Sequence, residues 1–254
     1  KKWQVIANYP VLKRQNRGQY AHWEFQTTPK FSTYLFALHA GDYQRFETEH
    51  QGLPLALYSR KSLAKHLDAQ LWFAITKQGL DFFNDYFGID YPFAKYDQIL
   101  APDYNMGAME NVGAVTFNEA YIFRAPPTDQ QRQRRANTIL HEMAHMWFGN
   151  LVTMRWWNGL WLNESFATYM ANLAVAEAMD FDNTWDVFYA GTKQWAYRSD
   201  DSVNTHAIEL PVATTGDALT NFDGITYGKG ASVLKQLPYY LGEENFRKGV
   251  STYL

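Results

Sequence analysis

Between Ile139 and Phe148 the chain reads ILHEMAHMWF, and no other stretch of its 254 residues limits the fold as tightly. His141 and His145 are four residues apart, which on a helix places them one turn apart on the same face with Glu142 on the flank. The neighbours Ile139, Leu140, Met143, Ala144, Met146, Trp147 and Phe148 make that helix apolar nearly all round, which predicts burial. Two imidazoles and a carboxylate then sit where water is scarce, and leaving them unpaired is costly. A divalent cation is the simplest partner for all three, and His-Glu-x-x-His is the spacing of a zinc site with its own base.

Composition narrows the donors and the partners. The chain has no cysteine, so a metal must be held by His, Asp or Glu, and no disulfide forms. A net charge of -3 argues against a general nucleic-acid or anionic-membrane binder. No apolar run approaches the roughly 20 residues that span a bilayer. The opening KKWQVIANYP is no signal peptide and lacks an initiator Met, so Lys1 is not expected to be the native start; the compartment stays open. Aromatic residues make up 17%, which favours a rigid core and aromatic-lined pockets but names no ligand.

The pattern along the chain predicts an α+β fold. Residues 1–58 read as strands: QYAHWEFQTT alternates, with Ala21, Trp23 and Phe25 on one side. A few strands with no covering helix make a poor domain, so this stretch is expected to be the end of a larger β domain upstream. Near Ser59 the period turns helical through Leu63, Leu67, Leu71 and Ile75, with Gly88 and Pro92 as the stop. YDQILAP and AMENVGAVTFN then suggest a sheet. Thr128-Asp129-Gln130-Gln131 is a capping-box pattern that starts the histidine helix, and Arg132, Arg134 and Arg135 behind it read as a solvated or ion-paired face. The tryptophans at 156, 157 and 161 read as packed core. Further helices are expected over residues 160–179, 183–198 and 226–241, the last bent or ended by Pro238.

A catalytic zinc takes three protein ligands and keeps a fourth position open. Glu164 is the best candidate for the third, since it lies early in the next helix with a turn at Gly149–Gly159 between. His22, His39, His50, His66 and His206 have no ligand spacing and read as structural or surface residues.

HEMAHMWFGNLVTMRWWNGLWLNESFATY together with GAMEN at Gly107–Asn111 resembles the aminopeptidase N family of zinc exopeptidases, whose catalytic domain is thermolysin-like. The likeness continues through ITYGKGASVLKQLPYYLGEENFRKG. It implies residues 1–58 as the C-terminal part of an N-terminal β domain, and 59–254 as a catalytic domain, a small mixed sheet plus helices, incomplete at its C-terminus. It further implies one zinc ion on His141, His145 and Glu164, with Glu142 as general base towards a zinc-activated water. Glu110 is implied to hold the free α-amine of a peptide substrate, and Gly107 and Ala108 to offer backbone groups to it. Met106 and Phe222 match positions lining the first side-chain pocket, and Tyr227 the donor to the tetrahedral oxyanion. Two departures stand out: Ser165 where the family commonly has Gly after the ligand Glu, and Gly228 where an acidic residue commonly follows the tyrosine.

The resemblance implies an aminopeptidase acting on peptides with a free N-terminus. An endopeptidase or epoxide hydrolase on the same scaffold is one rival, and GAMEN argues against it. A catalytically silent interaction module is another. Intact His141, Glu142, His145 and Glu164 count against that second rival.

Overall fold

The computed structural model describes residues 3–254. Strands β1 (Gln4–Ala7), β2 (Val11–Arg17), β3 (Tyr20–Phe25), β4 (Leu38–Gly41), β5 (Tyr43–His50) and β6 (Leu53–Arg60) come first. Helices α1 (Lys61–Ala64) and α2 (Ala69–Phe87) follow, then strands β7 (Tyr96–Ala101), β8 (Ala108–Met109) and β9 (Ala114–Asn118). The remainder is helical: α3 (Asp129–Ala144), α4 (Leu160–Ala178), α5 (Thr184–Phe188), α6 (Gln194–Asp200), α7 (Thr215–Ala218), α8 (Gly230–Leu234), α9 (Leu237–Leu241) and α10 (Glu243–Tyr253). Contacts divide the chain into two compact units. The first holds the residues up to Lys77 with Pro92–Arg135, and the second Gln78–Tyr91 with Ala136–Leu254. The fold is thus the mixed α plus β expected of the sequence.

The first unit is built on a five-stranded mixed sheet of order β5-β6-β7-β9-β8. β6, β7 and β9 run parallel, whereas β5 and β8 are antiparallel at the edges. Central parallel strands are covered on both faces, which is why β7 is buried along nearly its whole length, from Tyr96 to Leu100. β1 pairs with β4 and β2 with β3 in two separate ribbons. β3 alternates as expected, with Ala21, Trp23 and Phe25 half-buried between exposed neighbours. The helical period does not begin at Ser59, because β6 runs on to Arg60 and hydrogen-bonds to β5 there. α1 lasts one turn, and a new start follows where Asp68 accepts the Leu71 N–H at 3.0 Å, the bond of an N-cap.

Several buried polar side chains in this unit are answered by partners, whereas Ser59 Oγ and Arg135 Nε make no hydrogen bond. The Asn8 side chain donates to the carbonyls of Leu35 (2.9 Å) and Val112 (2.8 Å) and accepts from the Ala37 N–H (2.9 Å). Lys95 and Asp97 form a buried ion pair at 2.5 Å. Burial pushes the Lys95 ammonium down and the Asp97 carboxyl up, each opposed by the other's charge. Gly113 has φ +63°, and a Cβ there would overlap the Asn8 carbonyl oxygen and lie 3.3 Å from that of Lys95. Only glycine suits both demands. The Thr128 capping box forms: Gln131 N–H donates to Thr128 Oγ1 (3.2 Å) and Thr128 N–H to Gln131 Oε1 (2.8 Å). Arg135 departs from the solvated face expected of the arginines. It is buried, with its guanidinium over the rings of Trp72 and Phe123, while Arg132 and Arg134 are exposed.

The second unit packs around α4 and an aromatic cluster. Phe83 and Phe87 lie 5.6 and 5.3 Å from the Trp147 ring, whose Nε1–H donates to Ile89 O at 3.0 Å. Phe148 stacks on Phe166 at 4.6 Å. The helices expected at 183–198 and 226–241 are present but interrupted. A π-helical stretch, Tyr189–Lys193, separates α5 from α6, and the later run contains a π-helical turn, Ile225–Lys229, before α8. The last run breaks just ahead of Pro238, as expected of a proline: α8 ends at Leu234, and Pro238 sits in the first turn of α9, where its missing N–H costs no hydrogen bond. Trp156 is also more open than a packed core predicts, at 45% exposure.

Candidate metal centre

Helix α3 ends at Ala144, and His145 closes one further turn by donating its N–H to His141 O at 3.2 Å. The chain then turns back through Gly149, whose φ of +121° is a conformation other residues rarely adopt. α4 follows, with Glu164 on its second turn. The Nε2 atoms of His141 and His145 stand 3.1 Å apart, and each is 3.3 Å from Glu164 Oε2. His145 and Glu164 are buried, and His141 is nearly so.

These atoms fit a metal. His145 Nδ1 lies 2.9 Å from the Phe148 carbonyl, an acceptor, so Nδ1 carries the proton and the Nε2 lone pair faces Glu164. Glu164 Oε2 is buried and forms no hydrogen bond. Tetrahedral ligands at about 2.0–2.1 Å from a zinc ion stand about 3.3–3.4 Å from one another. The observed separations are close to that edge. His141, His145 and Glu164 therefore form a cluster able to hold a metal ion.

Protonation favours the ligand forms. Burial pushes the His141 imidazole below its ordinary 6.5, although Glu164 opposes this. Burial alone would raise the Glu164 carboxyl, but its neighbours His145 and His141 outweigh it and hold the group well below the ordinary carboxylate range.

Other expected residues gather at the same place. Glu142 is buried, and its carboxylate comes within 4.8 Å of the His145 ring nitrogen. The Tyr227 ring is stacked on His141, centroids 5.9 Å apart at 18°. Phe222 lies 6.4 Å from Tyr227, ring to ring.

The GAMEN residues belong to the first unit and are organised there. Gly107 O accepts the Asn118 N–H at 2.9 Å, and Ala108 and Met109 form the edge strand β8 opposite Phe117 and Thr116. Met106 is 46% exposed and Glu110 is buried. Asn111 donates to Leu35 O at 3.3 Å and accepts from Thr116 Oγ1 at 2.9 Å, while the same hydroxyl meets His39 Nε2 at 3.1 Å.

Some supporting residues gave no signal in the sequence. The Phe148 carbonyl that orients His145 is a backbone group. His39 and His206, read as structural or surface residues, both stand behind candidate site segments: His39 behind GAMEN, and His206 on Asp223 at 2.8 Å, four residues before Tyr227. Ser165 donates to the Thr226 carbonyl at 2.6 Å. Only the positions of Ser165 and Gly228 as departures from a motif marked that region.

Comparison with known proteins establishes the family. The pattern of the Peptidase family M1 domain matches residues 72–254, and the chain belongs to that family. It is 51% identical over 257 residues to aminopeptidase N of Streptomyces lividans, covering 99% of this chain and 30% of that protein. It is 39% identical to a leucyl aminopeptidase of Saccharolobus solfataricus, covering 98% of this chain and 32% of the relative. With the Tricorn protease-interacting factor F2 of Thermoplasma acidophilum it shares 41% identity, over 100% of this chain and 32% of the relative. The chain thus spans about a third of the length of these relatives. Among the described residues no helix is long and apolar enough to cross a membrane.

Proposed function

We propose that this chain carries the catalytic centre of a zinc-dependent aminopeptidase that removes residues from peptides with a free N-terminus. The observation that carries the reading is the convergence of His141 Nε2, His145 Nε2 and the unbonded Glu164 Oε2 at tetrahedral-edge spacing. Family membership and the aminopeptidase names of the relatives support it. When bound, zinc supplies Lewis acidity and lowers the pKa of water towards neutrality.

The chain's own residues have separate tasks in this reading. Glu142 takes a proton from the attacking water and returns it to the leaving amine. Tyr227, stacked beside His141, donates its hydroxyl to the oxyanion. Glu110 binds the α-amine of the substrate. β8 is an edge strand, so the backbone at Gly107 and Ala108 is suited to take the peptide as an added strand. Met106 and Phe222 are each assigned to recognition of the substrate's first side chain. In the longer parent protein, residues 1–58 serve as the end of an upstream β domain and 59–254 as part of the catalytic domain.

The test is zinc content together with cleavage of a free-amine aminoacyl amide and its N-acetylated twin. About one zinc per chain, with hydrolysis of the free-amine substrate alone, is expected. Equal rates on the two substrates would sink the exopeptidase reading, and absence of bound zinc would sink the metal assignment.

A further inference from the structure

Helix α4 and the π-helical turn Ile225–Lys229 carry different functional groups, Glu164 and Tyr227, and one hydrogen bond ties them together. Ser165 is fully buried and donates its hydroxyl to the Thr226 carbonyl at 2.6 Å. That carbonyl belongs to the peptide unit whose N–H is that of Tyr227, and this N–H donates to Asp223 O at 3.1 Å. Because a peptide unit is planar, fixing its carbonyl and its N–H fixes the direction in which the Tyr227 Cα leaves it. The Asp223 side chain anchors the same turn independently, accepting the N–H groups of Ile225 and Thr226 at 3.0 Å each.

Space for this bond is reserved opposite Ser165. Gly230 has an ordinary helical φ of -59°, so its backbone does not require glycine. A Cβ there would overlap the Ser165 hydroxyl and lie 2.7 Å from its Cβ. π-helical turns are rare and concentrate at functional sites, because the wider turn costs hydrogen-bond geometry that something else must compensate. Ser165 supplies such a bond to this turn.

We propose that Ser165 is a positioning residue that aims the Tyr227 hydroxyl by latching its turn to the helix of Glu164. The inference rests on the reading of Tyr227 as oxyanion donor. Its rival is that Ser165 only fills core space.

The experiment compares Ser165→Ala, Tyr227→Phe and the double variant on an aminoacyl amide, with zinc content and amide hydrogen exchange measured on each. Ser165→Ala is expected to keep zinc and KM, to lower kcat about tenfold through a misaimed donor, and to speed exchange at residues 226–230. In the Tyr227→Phe background the same change costs less than about twofold, since no hydroxyl remains to be aimed. Equal factors in both backgrounds, or unchanged exchange, would overturn the latch. Full kcat in Tyr227→Phe overturns the oxyanion reading and the aiming role with it, while the exchange result still reports the hydrogen bond alone. Should Ser165→Ala fold poorly, Ser165→Gly supplies the same comparison and must show the same loss.

Discussion

Two buried polar clusters differ in one respect that separates a site from a scaffold. Around Asn8 and at Lys95–Asp97, the donors meet acceptors and the charges meet opposite charges. At His141, His145 and Glu164, three atoms able to donate electron pairs face one another, and Glu164 Oε2 lacks a hydrogen bond altogether. The first cluster is complete with protein atoms. The second leaves an acceptor that protein atoms do not answer, which is unfavourable and is the ground for proposing a cation there. Burial alone therefore does not mark function; the kind of atom left facing inward does.

The contrast can be broken most severely at Glu164. Glu164→Ala should lose bound zinc and with it essentially all hydrolysis, measured by metal analysis and turnover. Glu142→Gln should retain zinc, since all three ligands remain, while kcat falls about 10²–10⁴-fold for want of the base. Metal loss in that variant would make Glu142 a ligand and overturn its proposed role as base.

Lys95→Met probes the opposite cluster. It leaves the Asp97 carboxylate buried without its counter-charge and should cost about 3–5 kcal/mol in denaturant unfolding, whereas Lys95→Met with Asp97→Leu should recover most of that loss. Zinc content per folded chain should be unchanged in both variants. Chelation acts in the reverse sense. Restoring free zinc at about a hundred times its dissociation constant should return about 2.7 kcal/mol of stability to the chelated protein. A thermal transition blind to zinc would contradict the idea that the second cluster is incomplete without it.

The smallest effect concerns pH. Burial lowers the His141 imidazole below its ordinary 6.5, so the proton-free form prevails at neutral pH. Protons therefore compete with metal only as pH falls below about that value, and Glu164, held lower still, stays ionised through the same window. Zinc retained on dialysis at pH 7 should be lost only once the pH falls below the ordinary imidazole range. Loss that began above neutrality would contradict the lowered His141.

What the sequence made legible was local. Helical spacing placed His141 and His145 on one face, the Thr128 box marked a helix start, and alternation picked out β3. Glu164 needed both spacing and family likeness, because no periodicity says which later helix returns to the first. Nothing local announced His39, His206 or the Phe148 carbonyl, and Ser165 stood out only as a departure from a motif, since their partners are distant in sequence or are backbone groups. Arg135 misled for a related reason. Its charge suggests solvent, but its burial is decided by Trp72 and Phe123, rings far from it along the chain. The break after Ala64 was missed because helical hydrophobic period can continue across a new N-cap.

Gly113 has a consequence for anyone wishing to re-engineer specificity. The backbones near Asn8, Lys95 and Gly113 meet there with no room for a methyl group, so three chain segments share one seam. Loop grafts into the GAMEN stretch have a fixed end at that seam. A graft whose insertions end before Glu110 leaves it intact, while one that displaces Gly113 must reroute three crossings at once.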